Sequence, residues 1–331
     1  VIISKTPYRI SFFGGGTDFP YWYKQHGGAV LSTTIDKYCY ISCRRLPPFF
    51  SHKHRFVYSK IEDVVTLSDV KHPAIRGILQ WLDIQEGLEI HHDGDLPARS
   101  GLGSSSSFTV GLLHVLSAYR NRYYSKADLA HDAIHCEQNV IGEVVGSQDQ
   151  VATAYGGLNH IVFGENPEFL VRPVMMAPEN EKRLNDNLLL FFTGIQRTAS
   201  DIEAEKLKKL SKNATSMRLM SDTVDEAISI LSSKNLKLDS FGKLMHEAWL
   251  IKRGLSDAVS NCQIDQAYAT ARSLGAIGGK ILGAGGGGFM LLFAHPSKHK
   301  SIVEELKPYV HVPFQFEKTG STIALYQPNG L

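Results

Sequence analysis

The feature that most constrains this chain is a short glycine- and serine-rich segment, Gly101 to Ser107, which we call the glycine-serine loop. It follows a strand pattern at Leu88 to His92 and leads into an apolar helix pattern at Ser105 to Tyr119. Glycines let a backbone approach a ligand closely, and the N–H groups at a helix start attract anions. A flexible linker would not carry Leu102 between its glycines or run straight into a helix. The loop therefore predicts a cradle for phosphate groups.

Two other nucleotide-binding patterns fit the sequence less well. In a dinucleotide-binding fingerprint the third glycine would fall on Ser106. A P-loop needs a hydroxyl residue after its lysine, but Lys280 is followed by Ile281. Neither a Rossmann fold nor a P-loop fold is therefore expected.

The rest of the pattern predicts mixed α and β structure in two domains. A length of 331 residues favours two domains, and a shift to prolines, asparagines and charges between Pro173 and Asp186 is typical of a connection. We therefore expect domains of residues 1–178 and 179–331, the second dominated by helical periodicity from Ala199 to Ala258. Strands are predicted at Val1–Ile3, Tyr8–Phe13, Ala29–Ser42, Arg55–Tyr58, Leu88–His92, Asn187–Phe192, Phe289–Phe293 and Thr322–Tyr326.

Charge and hydropathy exclude several classes of partner. The 35 basic and 33 acidic residues give a net charge of +2, so no overall field favours nucleic acid or an anionic membrane. The apolar runs are shorter than the roughly 20 residues that span a bilayer, and no leader is visible. Cys39 and Cys43 share one face of a predicted strand, where packing is expected rather than metal binding. These features fit a cytoplasmic protein, and the sequence leaves open whether it forms a homodimer.

Three segments in order along the chain resemble the motifs of the GHMP kinase family, which includes galactokinase, homoserine kinase and mevalonate kinase. The second family motif is Pro, three residues, then Gly-Leu-Gly-Ser-Ser, and Pro97 and Gly101 to Ser105 match it at every position. The first motif corresponds to Pro7 to Asp18 and the third to Gly278 to Phe289. The resemblance implies an α+β fold of two domains, an amino-terminal one like the second domain of ribosomal protein S5 and a ferredoxin-like carboxy-terminal one.

The resemblance also implies an ATP-dependent kinase that uses Mg²⁺. The glycines Gly285 to Gly288 of the third motif are expected to let that loop approach the glycine-serine loop. The residues expected to bind ATP are Pro97, Gly101, Leu102, Gly103, Ser104, Ser105 and Ser106.

Four residues are implied by the resemblance to act in phosphoryl transfer. Asp149 matches the catalytic aspartate as the base for the acceptor hydroxyl, and Arg9 matches the basic residue of the first motif. Ser105 and Glu137 match the positions that serve Mg²⁺, with Glu143 as a rival carboxylate. Asp149 as a helix cap and Arg9 as a surface arginine are the structural alternatives.

Gly15, Gly16, Thr17 and Asp18 are the expected acceptor-binding residues. Galactokinases carry Glu-His where this chain has Gly15-Gly16, so two hydroxyl-binding side chains are missing and galactose is disfavoured. Together with Gly146 to Gln150, this segment resembles the heptose 7-phosphate kinases. That resemblance implies transfer to the anomeric C1 hydroxyl of D-glycero-α-D-manno-heptose 7-phosphate.

A phosphorylated acceptor would need a second anion site. The candidates are Arg197, Lys280 and the pair Arg44-Arg45, and Lys280 is preferred because it lies in the third motif. Two other functions remain open on the sequence: another sugar 1-kinase, such as an L-fucokinase, or a non-catalytic sensor of sugar or nucleotide on the same fold.

Overall fold

The computed structural model describes residues 1–166, 168–195 and 210–328, with backbone only for residues 210–213. A long antiparallel pair of strands, β1 (Ile2–Phe13) and β2 (Gly28–Arg45), is the centre of the larger sheet. Both strands are largely buried because helices cover one face and the carboxy-terminal half of the chain covers part of the other. The remaining strands of this sheet are β3 (His54–Val57), β4 (Ile61–Val64), β5 (Leu88–Gly94), β6 (Asn159–Phe163), β7 (Phe169–Pro173), β12 (Phe316–Glu317) and β13 (Thr322–Tyr326).

The path through the larger sheet is β13-β1-β2-β5-β3-β4, and β2 also pairs with β6 and β12. The last strand of the described chain therefore lies directly beside the first. The smaller sheet has the order β11-β8-β10-β9. Its strands are β8 (Leu188–Phe192), β9 (Ala276–Ile281), β10 (Phe289–Ala294) and β11 (Val310–His311).

The helices pack on both sheets. Helix α3 (Ser104–Tyr119) lies against β1 and β2 and is buried along almost its whole length. It can approach β1 closely because Gly111 has no side chain, so that Ser4 Oγ donates to Gly111 O at 2.8 Å. The other helices are α1 (Pro20–His26), α2 (Pro73–Trp81), α4 (Lys126–His135), α5 (Gln148–Tyr155), α6 (Pro178–Asp186), α7 (Leu210–Leu231), α8 (Leu238–Arg253), α9 (Cys262–Ser273) and α10 (Pro296–Glu305).

The expected α+β architecture is confirmed. Cys39 and Cys43 are buried in the apolar core, as the strand pattern predicted. Of the helices in the described part of the chain, none is long and apolar enough to cross a membrane. The domain boundary at residue 178 stays a prediction.

One local expectation was wrong. Val1–Ile3 and Tyr8–Phe13 were predicted as separate strands, but Ile2–Phe13 is the single strand β1, which passes Pro7 at a register shift. The predicted connection at Pro173 to Asp186 contains α6, which starts with Pro178 in its first turn and buries Leu184. Proline is well suited to a first helical turn.

Candidate active site

Two charged side chains meet at the centre of a cleft of about 550 Å³. Arg9 lies on β1 and is only 3% exposed, whereas Asp149 lies in the first turn of α5 and is 23% exposed. Arg9 Nε donates to Asp149 Oδ1 and Arg9 Nη2 donates to Asp149 Oδ2, each at 2.6 Å. This is the two-bond geometry that a guanidinium forms with a carboxylate. Neither side chain is therefore a plain surface charge.

The glycine-serine loop forms the wall beside this pair. Arg9 Nη1 donates to Gly101 O at 2.7 Å, and the backbone N–H of Arg9 donates to Leu102 O at 3.0 Å. Gly101 and Gly103 have φ of +85° and +73°, a region that side chains rarely adopt. A Cβ on Gly103 would lie 3.2 Å from Asp149 Oδ2, so the loop passes very close to the carboxylate. The N-terminus of α3 follows at once and faces the same cleft.

The glycines of the third motif pack against this loop, as expected. A Cβ on Gly101 would lie 2.6 Å from Leu282 O, and one on Gly288 would lie 2.2 Å from Ser100 O. The N–H of Phe289 donates to Ser100 O at 3.1 Å. The backbones approach each other so closely that no side chain fits between them.

The first three serines of the glycine-serine loop have different surroundings. Ser104 Oγ accepts a hydrogen bond from the N–H of Arg99, and Ser105 is exposed in the cleft. Ser106 Oγ donates to Glu137 Oε2 at 2.9 Å. The serine that contacts Glu137 is therefore Ser106, and the expected role of Ser105 and Glu137 in serving Mg²⁺ stays a prediction.

Glu137 is fully buried in a segment of π-helix, Cys136–Ile141, that continues α4. Such segments often occur at functional sites. Its Oε2 also accepts a hydrogen bond from Gln150 Nε2. Burial is the main reason why the pKa of Glu137 rises to about 8. The rival carboxylate, Glu143, lines the cleft directly and burial raises its pKa as well.

Gly15, Gly16 and Asp18 form a second wall of the cleft. Asp18 is 2% exposed, and its carboxylate accepts from the N–H groups of Gly16 at 2.8 Å and Gln148 at 3.3 Å. Burial, and to a lesser extent the charge of Asp149, raises the pKa of Asp18 to about 6. A Cβ on Gly146 would lie only 1.9 Å from Asp18 Oδ2, so position 146 must be glycine for Asp18 to hold this place.

Two buried lysines line the cleft near the third motif. Lys252, on α8, donates through Nζ to Ile281 O at 3.0 Å and to Gly283 O at 2.5 Å. Lys280, on β9, donates through Nζ to Phe12 O at 2.8 Å, where β1 approaches the Gly15-Gly16 wall. Both side chains are about 5% exposed or less, so their positive charges act in a poorly solvated place.

Most of the expected site residues line this cleft. Three have other surroundings: Leu102 is in the core, Thr17 Oγ1 donates to Gly14 O and Ala29 O, and Glu137 lies behind Ser106. Pro97 is exposed and is not among the residues of the described chain that line the cleft. Arg197 lies outside the described residues. The expected residues that do line the cleft are Arg9, Gly15, Gly16, Asp18, Gly101, Gly103, Ser104, Ser105, Ser106, Asp149 and Lys280.

The pair Arg44-Arg45 does not share this cleft. Arg44 Nε donates to Glu89 Oε2 at 2.7 Å, and both arginines border a separate depression beside the amino-terminal end of β1. The sequence reading had missed Lys252, Ser11 and Gln148, which line the main cleft. Ser11 follows Arg9 by two residues on the same strand, and this spacing alone predicts that the two side chains share a face.

The chain is similar to known kinases over nearly its whole length. Residues 70–157 match the family model for the GHMP kinases N terminal domain, and residues 232–311 match the model for the GHMP kinases C terminal. A D-glycero-alpha-D-manno-heptose 7-phosphate kinase of Campylobacter jejuni is 30% identical, with 96% of this chain and 97% of that protein covered. A galactokinase of Pyrococcus furiosus is 27% identical, with 91% of each covered.

The fold is also similar to that of a solved kinase. A crystal structure described as a D-glycero-D-manno-heptose 1-phosphate kinase from Bacteriodes thetaiotaomicron superimposes with a TM-score of 0.80. The similarity covers 99% of this chain and 100% of that one, at 22% sequence identity.

Proposed function

Because the chain belongs to the GHMP kinase family, we propose that it is an ATP-dependent sugar kinase that phosphorylates the anomeric C1 hydroxyl of D-glycero-α-D-manno-heptose 7-phosphate and releases the 1,7-bisphosphate. The observation that carries this proposal is the pairing of Arg9 with Asp149 between two different walls. One wall is the glycine-serine loop, which suits phosphates, and the other contains Asp18, which suits hydroxyl groups.

The nucleotide is proposed to bind with its phosphates along the glycine-serine loop and the start of α3. Phosphate oxygens would accept hydrogen bonds from the backbone N–H groups there, and the helix dipole adds partial positive charge. The closely packed third motif would hold the loop in shape, since Gly101 touches Leu282 O and Gly283. Preorganised donors of this kind stabilise charge without rearranging during the reaction.

Asp149 is proposed to accept the proton of the acceptor hydroxyl while the hydroxyl oxygen attacks the γ-phosphorus and ADP leaves. Arg9 holds the carboxylate in one orientation and places positive charge beside the transferring group. An anomeric hydroxyl is more acidic than an ordinary alcohol because the ring oxygen is adjacent. Asp149 would therefore remove a proton from the C1 hydroxyl more readily than from an ordinary alcohol.

The residues of the cleft fit a role for Mg²⁺. Glu137 is a buried carboxylate behind Ser106, and Ser105 offers a hydroxyl in the cleft, so both are hard oxygen ligands of the kind that Mg²⁺ takes. Mg²⁺ is usually held by one or two carboxylates together with phosphate oxygens and water, so Ser105 with Glu137 or Glu143 would suffice. When bound with ATP, the ion would neutralise phosphate charge.

Lys280 is proposed to bind the phosphate that the acceptor already carries, and Lys252 is a second candidate. Both cations line the same cleft as Asp18 and Asp149. Arg197 remains a candidate from the sequence. The names of the relatives differ on the position of the phosphate, one being a 7-phosphate kinase and the other described as a 1-phosphate kinase. A cytoplasmic location and a homodimer also stay predictions.

The test is a panel of sugars assayed for ADP release, followed by phosphorus NMR of the product. The panel contains D-glycero-D-manno-heptose 7-phosphate, the unphosphorylated heptose, L-fucose and galactose. We expect the heptose 7-phosphate to react with the highest kcat/KM and the product to show a new resonance coupled to the anomeric proton. Strong activity on L-fucose without activity on the heptose phosphate would favour a fucokinase. A new phosphate elsewhere than C1 would contradict the proposed position.

A further inference from the structure

Two buried polar side chains in the cleft have an oxygen without a hydrogen-bond partner among the described residues: Ser11 and Gln148. Ser11 is 4% exposed and Gln148 is 8% exposed, so bulk water does not satisfy them freely. An unsatisfied buried polar atom costs about 1–3 kcal/mol of folding free energy. Because both of these atoms belong to residues that line one cleft, we interpret them as groups that bind a ligand.

Both side chains lie next to the proposed reacting groups. Ser11 follows Arg9 by two residues on β1, so their side chains are on the same face of the strand. Gln148 immediately precedes Asp149, and its backbone N–H donates to the carboxylate of Asp18. Both side chains line the cleft together with Arg9, Asp18 and Asp149.

Ser11 and Gln148 approach one common point beside Gly15. The point where a Cβ on Gly15 would stand is 3.6 Å from Ser11 Oγ and 3.7 Å from Gln148 Nε2. Because position 15 is glycine, no side chain occupies that point, and all three residues line the cleft.

We infer that Ser11 and Gln148 are a pair of specificity-determining residues that bind hydroxyl groups of the acceptor other than the one that is phosphorylated. Gln148 Oε1 accepts a hydrogen bond from one hydroxyl, and Ser11 Oγ exchanges a hydrogen bond with a neighbouring one. The inference rests on the proposed function, since it assigns the pair to the acceptor side of that site. Ser11 and Gln148 would then replace the hydroxyl-binding side chains that are missing at Gly15 and Gly16.

The chemistry of the pair selects a polyhydroxyl acceptor. A site that is built to hydrogen-bond a hydroxyl strongly rejects an analogue that lacks it, because the buried polar groups of the protein are then left unpaired. An acceptor without adjacent hydroxyls, such as an isoprenoid alcohol, would leave Ser11 Oγ and Gln148 Oε1 unsatisfied. The pair therefore discriminates by the pattern of hydroxyls rather than by size.

The test uses the substitutions Ser11→Ala and Gln148→Met, with Ser32→Ala as the matched control. Ser32 lies opposite Ser11 on β2 and is also a buried serine whose Oγ has no partner in the described chain, but it is not among the cleft-lining residues. We expect each cleft substitution to lower kcat/KM for the acceptor by about 10- to 100-fold while the KM for ATP changes by less than about twofold. Ser32→Ala should leave both values unchanged.

Thermal denaturation without ligands separates binding from a structural role. Removing an unsatisfied buried polar atom should keep or raise the midpoint of Ser11→Ala and Gln148→Met, whereas loss of a structural contact would lower it. The inference is overturned if both cleft variants keep the acceptor kcat/KM of the control, or if the KM for ATP rises in parallel with the loss.

The assay of the wild-type enzyme separates the test of this pair from the test of the proposed function. If the wild-type enzyme does not use heptose 7-phosphate, the proposed substrate is wrong, and the three variants are then compared with the sugar of the panel that has the highest kcat/KM. A selective loss of acceptor kcat/KM with that sugar would still support the pair. If Ser11→Ala and Gln148→Met leave the kinetics with that sugar unchanged, only the inference about Ser11 and Gln148 is overturned.

Discussion

The guanidinium of Arg9 holds Asp149 by two hydrogen bonds of 2.6 Å and, through its third nitrogen, holds the carbonyl oxygen of Gly101 at 2.7 Å. One side chain therefore connects the proposed base to the loop that is proposed to bind the nucleotide. This connection fixes the position of the Asp149 carboxylate relative to the glycine-serine loop, and such preorganisation favours catalysis.

The substitution Asp149→Asn should lower kcat by at least about 100-fold, because an amide cannot accept the proton of the acceptor hydroxyl. The size and shape of the side chain hardly change, so binding of an ATP analogue should persist. Steady-state kinetics and calorimetric titration with the analogue measure the two effects. A variant that keeps more than a tenth of the wild-type kcat would show that Asp149 only positions Arg9.

The substitution Arg9→Lys keeps the positive charge but removes the two-bond geometry. Losing one charge-assisted hydrogen bond corresponds to about 1.5–3 kcal/mol, so kcat should fall about 10- to 100-fold. Arg44→Lys is the matched control, because Arg44 also pairs with a carboxylate, Glu89, but lies away from the cleft. Equal losses in the two variants would contradict a special role for Arg9.

The pKa of Asp18, raised to about 6, predicts an acid limb in the pH profile. If the ionised carboxylate accepts hydrogen bonds from the acceptor, kcat/KM for the acceptor should fall as the pH is lowered through about 6. The Asp18→Asn variant should have low activity, and its pH profile should lack this decrease in kcat/KM.

The effect of Asp18 on folding has the opposite sign. Its pKa is higher in the folded protein than the ordinary value of 3.8, so the folded state binds more protons between these two values. The contribution of Asp18 to stability therefore decreases as the pH rises from about 3.8 to about 6. Comparing thermal midpoints of the wild type and Asp18→Asn across this range checks the sign.

The substitution Glu137→Gln tests the proposed metal carboxylate. We expect the Mg²⁺ concentration for half-maximal activity to rise by at least about tenfold, because an amide oxygen carries no negative charge. Glu143→Gln is the matched comparison, since Glu143 is the rival carboxylate that lines the cleft. If only Glu143→Gln changes the Mg²⁺ requirement, then Glu143 holds the ion.

The stability of the metal-free protein gives a second measurement on Glu137. Its pKa is about 8 in the folded protein against an ordinary value of 4.5, so ionising it costs folding free energy as the pH rises between these values. Thermal denaturation with a chelator should therefore show that Glu137→Gln loses less stability than the wild type from pH 5 to pH 8. An identical pH dependence would contradict the burial of an ionisable group at this position.

The substitution Gly101→Ala should raise the KM for ATP by at least about tenfold. Its φ of +85° costs a side chain about 1–2 kcal/mol, and the new Cβ would lie 2.6 Å from Leu282 O, so the loop must move. Gly27→Ala is the control, with a φ of +70° but only an ordinary contact of 3.9 Å to Phe163 O. The control should lose stability by about 1–3 kcal/mol, because φ +70° with ψ 166° is a conformation that side chains rarely adopt, and it should keep its kinetics.

The sequence predicted the local structure of the site better than its long-range contacts. The glycine-serine loop could be found because a strand, a turn and a helix follow one another within a short stretch. By contrast, 140 residues separate Arg9 from Asp149, and their neighbouring positions were implied only by a family resemblance. No period or spacing in a single sequence carries that information.

The different surroundings of Ser105 and Ser106 follow from helix geometry. Successive residues of a helix differ in direction by about 100°, so adjacent serines in the first turn of α3 have different neighbours. Ser106 faces the buried Glu137, whereas Ser105 is exposed in the cleft. The start of α3 at Ser104 differs by one residue from the sequence prediction, which is within the ordinary uncertainty of helix ends.

The residues that the sequence reading missed are polar groups in apolar surroundings. Lys252 lies on the buried face of α8. In a helical sequence pattern, a lysine normally indicates the solvent-exposed face. Ser11 is a small side chain in an apolar strand and gives almost no pattern. Only the three-dimensional packing shows that both reach the cleft.

The pairing of β1 with β13 joins two segments that are far apart along the chain. Residues 2–5 of β1 acquire their second neighbouring strand only from residues 322–326, so without that partner this end of β1 is an exposed sheet edge that invites pairing with other chains. A variant truncated before residue 322 would therefore be prone to aggregate.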